Sequence, residues 1–405
     1  MSKNAALTVE AALARILADA RTTTSLDNRN LLDAAGCVLA APLVARLTQP
    51  PFNASAMDGY AVRAADVASL PAVLNVIGEA AAGHGFRGRV EAGEAVRIFT
   101  GAPVPDGADA IIIQENTRRD GTRVTVTEGQ IDPEFVRPRG GDFAAGQTLI
   151  PSDRRLTARD LTLAAAMGHG ALTVRRPPAV AILATGDELV PPGIIPGPDQ
   201  IVCSNTFGLA ALVKAAGGEP RLLGIAGDTR ASLEAHVAQA AGADILLTAG
   251  GASVGDHDLV APVLTAQGMT LDFWKIAMRP GKPLMFGRLG PQMVLGLPGN
   301  PVSSLICARL FLVPLIRALL GLQPEPHRPL SARAAVKLGA NGPRTHYMRA
   351  TSRLALDGAR EVTPVRSQDS SLMSPLAEAD CLIVRPIAAP AIPAGSEVPV
   401  LLLDF

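Results

Sequence analysis

Short apolar runs alternate with longer amphipathic segments through the middle of the chain. The runs have the length of strands, and apolar residues recur every three or four positions between them, as in helices. The predicted strands are residues 179–184, 221–225, 244–248, 271–276 and 293–297. This alternation predicts an α/β domain with a doubly wound parallel sheet and right-handed crossovers.

Helix start and stop residues support the alternation. Gly217 and Gly321 stand where two predicted helices end, and Pro301 takes the first position of the helix that Gly321 ends, where a missing N–H does no harm. The predicted helices with their capping residues are 204–216 with Ser204, 228–241 with Asp228, 258–267 with Asp258, and 300–320 with Asn300.

Different patterns flank this region. Thr8 opens a predicted helix over 8–20, and a capping-box pattern at Thr157 and Asp160 opens another that Gly168 ends. Turn residues separate short β-like runs in the first flank, at 72–77, 95–99, 110–114 and 123–127. After the proline-rich residues 323–329, β-like runs return at 332–337, 347–356, 361–365, 381–385 and 398–402.

These changes of pattern predict a multidomain α/β protein with four domains. Residues 1–45 together with 141–176 form an N-terminal helical linker domain, and residues 46–140 form a β-rich, barrel-like domain. Residues 177–325 form the central α/β domain, and residues 326–405 form a C-terminal all-β domain.

Composition and charge restrict the classes of partner that the protein is expected to bind. Lys plus Arg number 37 and Asp plus Glu number 37, and only 3% of residues are aromatic, which argues against nucleic acid and anionic membrane as partners. The N-terminus lacks the pattern of a signal peptide, and no apolar run is long and uninterrupted enough to span a membrane. Four dispersed cysteines indicate reduced thiols, so we expect a cytoplasmic protein.

Polar clusters follow each predicted strand of the central domain. Because parallel strands place their carboxyl ends on one edge of a sheet, we expect the clusters to meet there, where such sheets bind ligands. The clusters are 185–189, 227–229, 248–258, 275–283 and 297–301.

The clusters contain two kinds of chemistry. Backbone N–H groups of Gly250, Gly251 and Gly255 can approach an anion closely, and helix N-termini near Ser204, Asp258 and Pro301 add partial positive charge. The full positive charges, suited to phosphate or another oxyanion, are on Lys275, Arg279 and Lys282. The carboxylates, which suit Mg²⁺ beside such an anion, are on Asp187, Glu188, Asp228, Asp256 and Asp258.

Simpler interpretations stay open for each residue. Asp228 and Asp258 can be helix caps only, the two lysines can be surface charges, and His257 can be a solvated loop residue. No P-loop, GxSxG elbow or CxxC pair occurs, and the GxGxxG match at 83–88 precedes no helical pattern.

A second group of special residues lies in the β-rich domain. Residues 50–62 and 99–109 are rich in Pro, Gly and Asp, and such rigid loops hold Ser55, Asp58 and Thr100 in fixed geometry. The alternative is that both are only tight turns of a small barrel.

Six motifs together resemble the MoeA/gephyrin E-domain family across essentially the whole chain. The first motif is the most specific, because the glycine-rich motifs also fit the smaller pterin adenylyltransferases that share the α/β domain. The motifs are residues 53–61 (NASAMDGYA), 100–105 (TGAPVP), 185–189 (TGDEL), 250–255 (GGASVG), 279–283 (RPGKP) and 296–301 (GLPGNP).

The resemblance implies an elongated homodimer of four-domain subunits, with a cleft between the α/β domain of one subunit and loops of the other. It implies a molybdopterin molybdenumtransferase: molybdate and Mg²⁺ enter, a pterin–AMP anhydride is cleaved, and molybdenum cofactor and AMP leave. Contacts with the pterin adenylyltransferase and with cofactor acceptors would follow. The alternatives are an adenylyltransferase that uses ATP, or a non-catalytic scaffold or carrier.

Carried over by position, the resemblance also implies roles for individual residues. Glu188, Asp228 and Asp258 would hold Mg²⁺, and Lys275 would neutralise charge on the bridging phosphate. Position 279 is usually lysine in the bacterial relatives, so the donor geometry of Arg279 differs. The implied catalytic residues are Asp58, Thr100, Glu188, Asp228, Asp258 and Lys275. The implied substrate-binding residues are Asp187, Ser204, Gly250, Gly251, Ser253, Gly255, Arg279, Lys282, Pro298, Asn300, Arg349 and Ser370, with Arg279, Arg349 and Ser370 binding molybdate.

Overall fold

The computed structural model describes residues 6–23, 25–251, 259–324 and 329–403. Contacts divide the chain into two compact units, Met1–Asp27 with Arg175–Phe405, and Asn28–Val174. The finer division into four domains stays a prediction.

The first helix, α1, spans Val9–Ala18 and belongs to the first unit. The side chain of Thr8 accepts a hydrogen bond from the backbone of Ala11, so the predicted cap is confirmed. Val9, Ala12 and Ile16 are buried on one face, as their spacing predicts.

The unit Asn28–Val174 is mainly β, as predicted for residues 46–140. Its strands are β1 (Leu26–Asn30), β2 (Leu43–Val44), β3 (Ala54–Ser55), β4 (Gly59–Val62), β5 (Ala72–Ala80), β6 (Glu94–Ile98), β7 (Ala110–Ile113), β8 (Thr117–Asp120), β9 (Arg123–Val126), β10 (Val136–Arg137), β11 (Thr148–Ile150) and β12 (Ala171–Arg175). Its helices are α2 (Ala158–Ala166) and the 3₁₀ turns Ala64–Val67, Gln114–Asn116 and Pro133–Phe135. Residues 28–45 and 141–174, predicted as part of a helical linker domain, contain α2 and four short strands.

Six of these strands form one sheet in the order β7–β4–β6–β5–β9–β8. Alternate residues pack into two apolar clusters, one containing Tyr60 and Ile112 and the other Ala61 and Ile111, so both faces of the sheet are covered. The capping box of α2 is present, because the Asp160 carboxylate accepts from the backbone N–H of Thr157 at 2.8 Å.

Residues 175–324 contain the predicted α/β domain. Its strands are β13 (Ala179–Thr185), β14 (Leu189–Val190), β15 (Ile201–Val202), β16 (Glu219–Ala226), β17 (Ile245–Ala249), β18 (Thr270–Trp274), β19 (Met278–Arg279), β20 (Met285–Leu289) and β21 (Gln292–Leu297). Its helices are α3 (Asn205–Ala216), α4 (Arg230–Ala238), α5 (Val260–Ala266), α6 (Pro301–Cys307) and α7 (Val313–Leu319), and the π-helical segment Ala308–Leu312 joins the last two.

The central sheet has the order β16–β13–β17–β21–β20–β18. The first four strands are parallel as predicted, whereas β20 is antiparallel to both of its neighbours and was not predicted. Gly290, with φ of 59°, and Pro291 turn the chain between β20 and β21, so the two strands form a hairpin. Because β18 is antiparallel to β20, it runs with the parallel strands and its carboxyl end stays on their edge.

Three predicted helix caps differ from the structure. Ser204 occupies the cap position of α3, but its side chain makes no capping hydrogen bond. Thr229, not Asp228, caps α4, since its hydroxyl accepts from the backbone of Ser232 at 3.2 Å. Asn300 occupies the cap position of α6, but its side chain bonds elsewhere. The predicted cap of α5, Asp258, lies outside the described residues.

The continuous helix Pro301–Leu319 forms part of the core. By length and composition it could cross a membrane, but 78% of its apolar window is buried inside the protein. That burial is typical of the core helix of an α/β domain.

The C-terminal residues form the predicted β domain. Its elements are β22 (Leu330–Ala334), β23 (Thr345–Leu354), β24 (Arg360–Pro364), α8 (Ser374–Glu378), β25 (Cys381–Arg385) and β26 (Glu397–Leu402). The order β23–β24–β22–β26–β25 closes on itself because β25 also pairs with β23. Strand β19 of the α/β domain pairs with the start of β23, so the barrel continues directly from the loop that carries Arg279.

Candidate active site

Two acidic loops meet at the carboxyl edge of the sheet, after β13 and β16. The Asp187 carboxylate accepts from the backbone N–H of Asp228 at 2.9 Å, and the Asp228 carboxylate accepts from the backbone N–H of Asp187 at 3.3 Å. Each side chain therefore fixes the backbone of the other loop. Since Thr229 caps α4, the Asp228 carboxylate is not used as a helix cap.

The glycines after β17 permit close approach at the same edge. Gly250 and Gly251 have positive φ angles, 105° and 65°. A Cβ atom on Gly250 would lie 2.9 Å from the carbonyl oxygen of Thr185, and one on Gly251 would lie 2.1 Å from a methyl group of Val260. Only glycine fits both the backbone and the space at these positions.

A cleft of about 820 Å³ opens where these loops meet. Its lining includes both glycines, the carboxylates of Glu188 and Asp228, and the N-terminal ends of α3 and α6. The predicted site residues that line it are Glu188, Ser204, Asp228, Gly250, Gly251, Pro298 and Asn300. The convergence of these clusters on one edge, predicted from strand direction, is therefore seen for the loops after β13, β16, β17 and β21.

The N-terminus of α6 is tied to a loop of the C-terminal barrel. The Asn300 side-chain amide donates to the Ser370 hydroxyl at 3.1 Å, and the backbone N–H of Val302 donates to the Ser370 carbonyl at 3.2 Å. The next residue, Ser371, lines the cleft. The barrel thus supplies one wall of the site.

The predicted basic residues lie on the loop between β18 and β20. The backbone N–H of Lys275 donates to Leu284 at 3.0 Å and that of Ile276 donates to Lys282 at 3.0 Å, which folds the loop back on itself. Pro283 lines the cleft. Within the described part of the chain, Lys275, Arg279 and Lys282 are not among the residues that line the cleft, so this loop reaches it only through Pro283.

Arg349 is buried in the barrel instead of facing solvent, with 1% of its surface exposed. Its guanidinium donates to the carbonyl of Leu372 at 3.0 Å and to that of Asp369 at 2.8 Å. Burial lowers the pKa of this guanidinium, while the charge of Asp369 opposes that shift. These contacts hold the loop around Ser370, and the direct contact of Arg349 with molybdate stays a prediction.

The second predicted group lies in the unit Asn28–Val174. The Asp58 carboxylate accepts from both the backbone N–H and the hydroxyl of Thr100, each at 2.8 Å. These two hydrogen bonds, with a smaller contribution from the Arg97 charge, lower the pKa of Asp58. The guanidinium of Arg97 lies 4.7 Å from the centre of the Phe99 ring and donates to the carbonyl of Gly59. These contacts therefore hold the loops 50–62 and 99–109 together.

The predicted magnesium ligands are only partly described. Glu188 and Asp228 line one cleft and present the hard oxygen atoms that Mg²⁺ prefers, whereas Asp258 lies outside the described residues. Within residues 6–23, 25–251, 259–324 and 329–403, no group of three or more His, Cys, Asp or Glu side chains is arranged to hold a metal. Ser253 and Gly255, predicted to bind the pterin phosphate, also lie outside these ranges.

Some residues at the site had no signal in the sequence. The side chain of Asn205 donates to the carbonyl of Gly299 at 2.7 Å and joins the starts of α3 and α6. Gln368 forms two hydrogen bonds with the backbone of Arg349, each 2.9 Å long. Both contacts join residues distant along the chain, so no local pattern points to them.

Three family models match consecutive parts of the chain. The MoeA N-terminal region (domain I and II) matches residues 7–168, the probable molybdopterin binding domain matches residues 181–318, and the MoeA C-terminal region (domain IV) matches residues 331–403. Together they cover most of the sequence in the order that the resemblance predicts.

Curated relatives and solved structures agree with these models. A molybdopterin molybdenumtransferase of Nostoc sp. is 39% identical over 387 residues, which are 93% of this chain and 88% of the relative. One from Haemophilus influenzae is 36% identical, covering 93% and 94%. The crystal structure of a molybdopterin biosynthesis MoeA protein from Pyrococcus horikosii matches with a TM-score of 0.84 and 30% identity over 99% of this chain and 100% of that one. The chain belongs to the MoeA family of molybdopterin molybdenumtransferases.

Proposed function

We propose that this protein inserts molybdate into adenylylated molybdopterin. In this reaction the pterin dithiolene binds molybdenum, the phosphate anhydride to AMP is cleaved, and molybdenum cofactor and AMP are released. The observation that carries the proposal is the cleft itself. It combines the carboxylates of Glu188 and Asp228, close-approach glycines and the N-terminal ends of α3 and α6 in a chain that belongs to this transferase family.

The predicted site residues have roles that their chemistry supports. The backbone at Gly250 and Gly251 accepts the phosphate region of the substrate, because no Cβ blocks its approach. Lys275 neutralises negative charge as the anhydride is cleaved. Arg279 and Ser370 bind molybdate, a tetrahedral dianion, at the barrel side of the cleft. The loop pair of Asp58 and Thr100 orients pterin or water.

Glu188 and Asp228, together with Asp258, would hold Mg²⁺. When bound, the ion supplies positive charge to the diphosphate. The paired loops at Asp187 and Asp228 fix where that charge is placed, because their reciprocal hydrogen bonds restrain both backbones.

Assembly and location follow from the same family membership. We propose a cytoplasmic homodimer in which loops of one subunit complete the cleft of the other. The pterin adenylyltransferase would deliver the substrate, and cofactor acceptors would receive the product. A stand-alone adenylyltransferase is not favoured, because the matches at residues 7–168 and 331–403 lie outside the shared α/β domain. A non-catalytic scaffold is not favoured, because the curated relatives that match most of the chain are molybdenumtransferases.

The test measures the release of AMP. Purified protein is incubated with adenylylated molybdopterin, Mg²⁺ and molybdate, and AMP is quantified by chromatography with and without molybdate. We expect AMP release that depends on molybdate. Absence of that dependence contradicts the transferase assignment, and pyrophosphate released from ATP and molybdopterin, with AMP transferred to the pterin, favours the adenylyltransferase.

A further inference from the structure

The barrel loop that carries Ser370 and Ser371 is held from behind by one buried side chain. Arg349 on β23 donates to the carbonyls of Asp369 and Leu372, which stand on either side of the two serines. With 1% of its surface exposed, Arg349 has no access to bulk solvent, so its charge is spent on these carbonyls. The backbone on both sides of Ser370 and Ser371 is therefore held in place by Arg349.

Gln368 joins the same loop to the strand. Its amide oxygen accepts from the backbone N–H of Arg349 at 2.9 Å, and its amide nitrogen donates to the carbonyl of Arg349 at 2.9 Å. The Arg349 carbonyl also accepts from the backbone N–H of Val365 at 3.0 Å, so the Gln368 side chain extends the end of the pairing between β23 and β24. This arrangement needs one donor and one acceptor on the same group, which only an amide side chain of this length supplies.

The two serine hydroxyls are oriented oppositely. Asn300 donates to the Ser370 oxygen at 3.1 Å, so the Ser370 proton is left for another acceptor. The Ser371 hydroxyl donates to the Asp369 carboxylate at 2.8 Å, so its own proton is used. The backbone and side-chain hydrogen bonds from Ser371 lower the pKa of Asp369, which keeps that carboxylate an acceptor at neutral pH.

We propose that Gln368 is a positioning residue, which with Arg349 locks the loop so that the Ser370 hydroxyl donates its proton to the oxyanion substrate. The inference rests on the proposed function, in which molybdate is that oxyanion. It assigns the donor role to Ser370, because Ser371, although it lines the cleft, already donates its proton to the Asp369 carboxylate. It also makes Gln368 control the affinity for molybdate without touching it.

The first experiment measures steady-state AMP release as a function of molybdate concentration. We expect Gln368→Ala to raise the KM for molybdate about tenfold with kcat within twofold of the wild type, because a loosened loop misplaces the donor. A merely structural role lowers kcat with the folded fraction and leaves the KM unchanged, and that outcome overturns the proposal. Asn341→Ala is the matched control, because Asn341 also bonds barrel carbonyls, those of Arg344, Arg385 and Pro386. It is expected to keep the KM for molybdate.

A pair of serine variants tests the same idea in a loop whose backbone contacts are intact. Ser370→Ala is expected to raise the KM for molybdate about tenfold, the usual effect of losing a hydrogen bond to a charged group. Ser371→Ala is expected to raise it less than about threefold, because its proton is already donated to Asp369. Equal effects, or a larger effect at position 371, contradict the proposal.

Hydrogen exchange reports on the position of the loop independently of the AMP assay. The backbone N–H of Val302 bonds to the carbonyl of Ser370, so a peptide spanning residues 300–306 reports directly on the position of the loop. We expect faster exchange of this peptide in Gln368→Ala than in Asn341→Ala. If the wild type releases no molybdate-dependent AMP, the proposed function fails, while unchanged exchange in Gln368→Ala overturns the positioning role independently.

Discussion

The acidic and basic sides of the site reach the cleft by different routes. The acidic side, Asp187, Glu188 and Asp228, follows two adjacent parallel strands, β13 and β16. The basic side, Lys275, Arg279 and Lys282, follows β18, which antiparallel β20 separates from the parallel strands. Glu188 and Asp228 line the cleft directly, whereas the basic loop reaches it through Pro283.

This difference shows what strand direction does and does not determine. Direction places a loop on one edge of the sheet, and all five predicted loops follow strands that end on that edge. The distance between loops along the edge depends on strand order, which the inserted hairpin changes. Positive charge on a loop near the cleft, instead of within it, suits a substrate that extends out of the α/β domain towards the barrel.

The largest effect is expected on the acidic side. Asp228→Asn keeps the hydrogen bond to Asp187 possible but removes the charge, and we expect at least about 100-fold slower AMP release at saturating molybdate. Glu219→Gln is the control, because Glu219 is an exposed carboxylate at the opposite end of β16. Activity of Asp228→Asn within tenfold of the control would remove this carboxylate from the chemistry.

The next effect concerns the glycine loop between the two sides. Gly251→Ala places a methyl group 2.1 Å from Val260 at a φ of 65°, and we expect about a tenfold loss in kcat/KM as the loop shifts. Gly242→Ala has a similar φ, 77°, but its added methyl meets no atom within 4 Å. The control therefore carries the backbone strain, about 1 kcal/mol, without the clash. Equal activity of the two variants argues against a role for close approach.

A smaller effect distinguishes structure from charge at Asp187. Asp187→Asn retains an oxygen that accepts from the backbone of Asp228, whereas Asp187→Ala does not. If Asp187 acts by fixing the two loops, the alanine variant loses about five- to tenfold in kcat and the asparagine variant less than about threefold. Equal losses in steady-state AMP release show instead that the charge of Asp187 matters.

The smallest effect on catalysis is expected at His346, whose pKa is affected by burial and by the charge of Arg279 on the basic side. Burial, then the charges of Arg279, Arg344 and Arg349, lowers the pKa of His346 to about 4 from 6.5. The unfolded chain therefore binds a proton below pH 6.5 that the folded protein does not, so stability is lost as pH falls from about 6.5 to about 4. This loss is at most about 3 kcal/mol.

Chemical denaturation of wild type and His346→Gln across this pH range measures the effect. We expect the free energy of unfolding of the wild type to fall more steeply than that of the variant, with similar AMP release at neutral pH. A difference between the two proteins that does not change with pH contradicts the assignment to His346.

Local patterns predicted much of this molecule because many of its choices are local. The alternation at residues 179–297 identified four of the parallel strands, and Thr8 and Thr157 marked two helix starts correctly. The prediction of Asp228 as the cap of α4 was wrong, because the adjacent Thr229 is also a good capping residue and the three-dimensional path of the chain decides between them. Strand β20 was not predicted, because only the short turn at Gly290 and Pro291 separates it from β21.

Contacts between distant residues account for the rest. The pairing of Asp187 with Asp228 and the burial of Arg349 under the 369–372 loop each depend on tertiary structure. A sequence motif marks such residues as special without showing whether they meet a ligand or hold a neighbour. Arg349 illustrates the second case, since its guanidinium bonds to backbone carbonyls of its own domain.

The central claim is that both sides of the site grip one substrate, and anomalous scattering from crystals soaked with Mn²⁺ and tungstate tests it most directly. Mn²⁺ stands in for Mg²⁺, and tungstate stands in for molybdate. We expect a manganese peak in contact with Glu188 and Asp228, and a tungsten peak bounded by Arg279 and Ser370 at the same cleft. A tungsten peak on a distant surface, or manganese bound away from both carboxylates, would contradict the account.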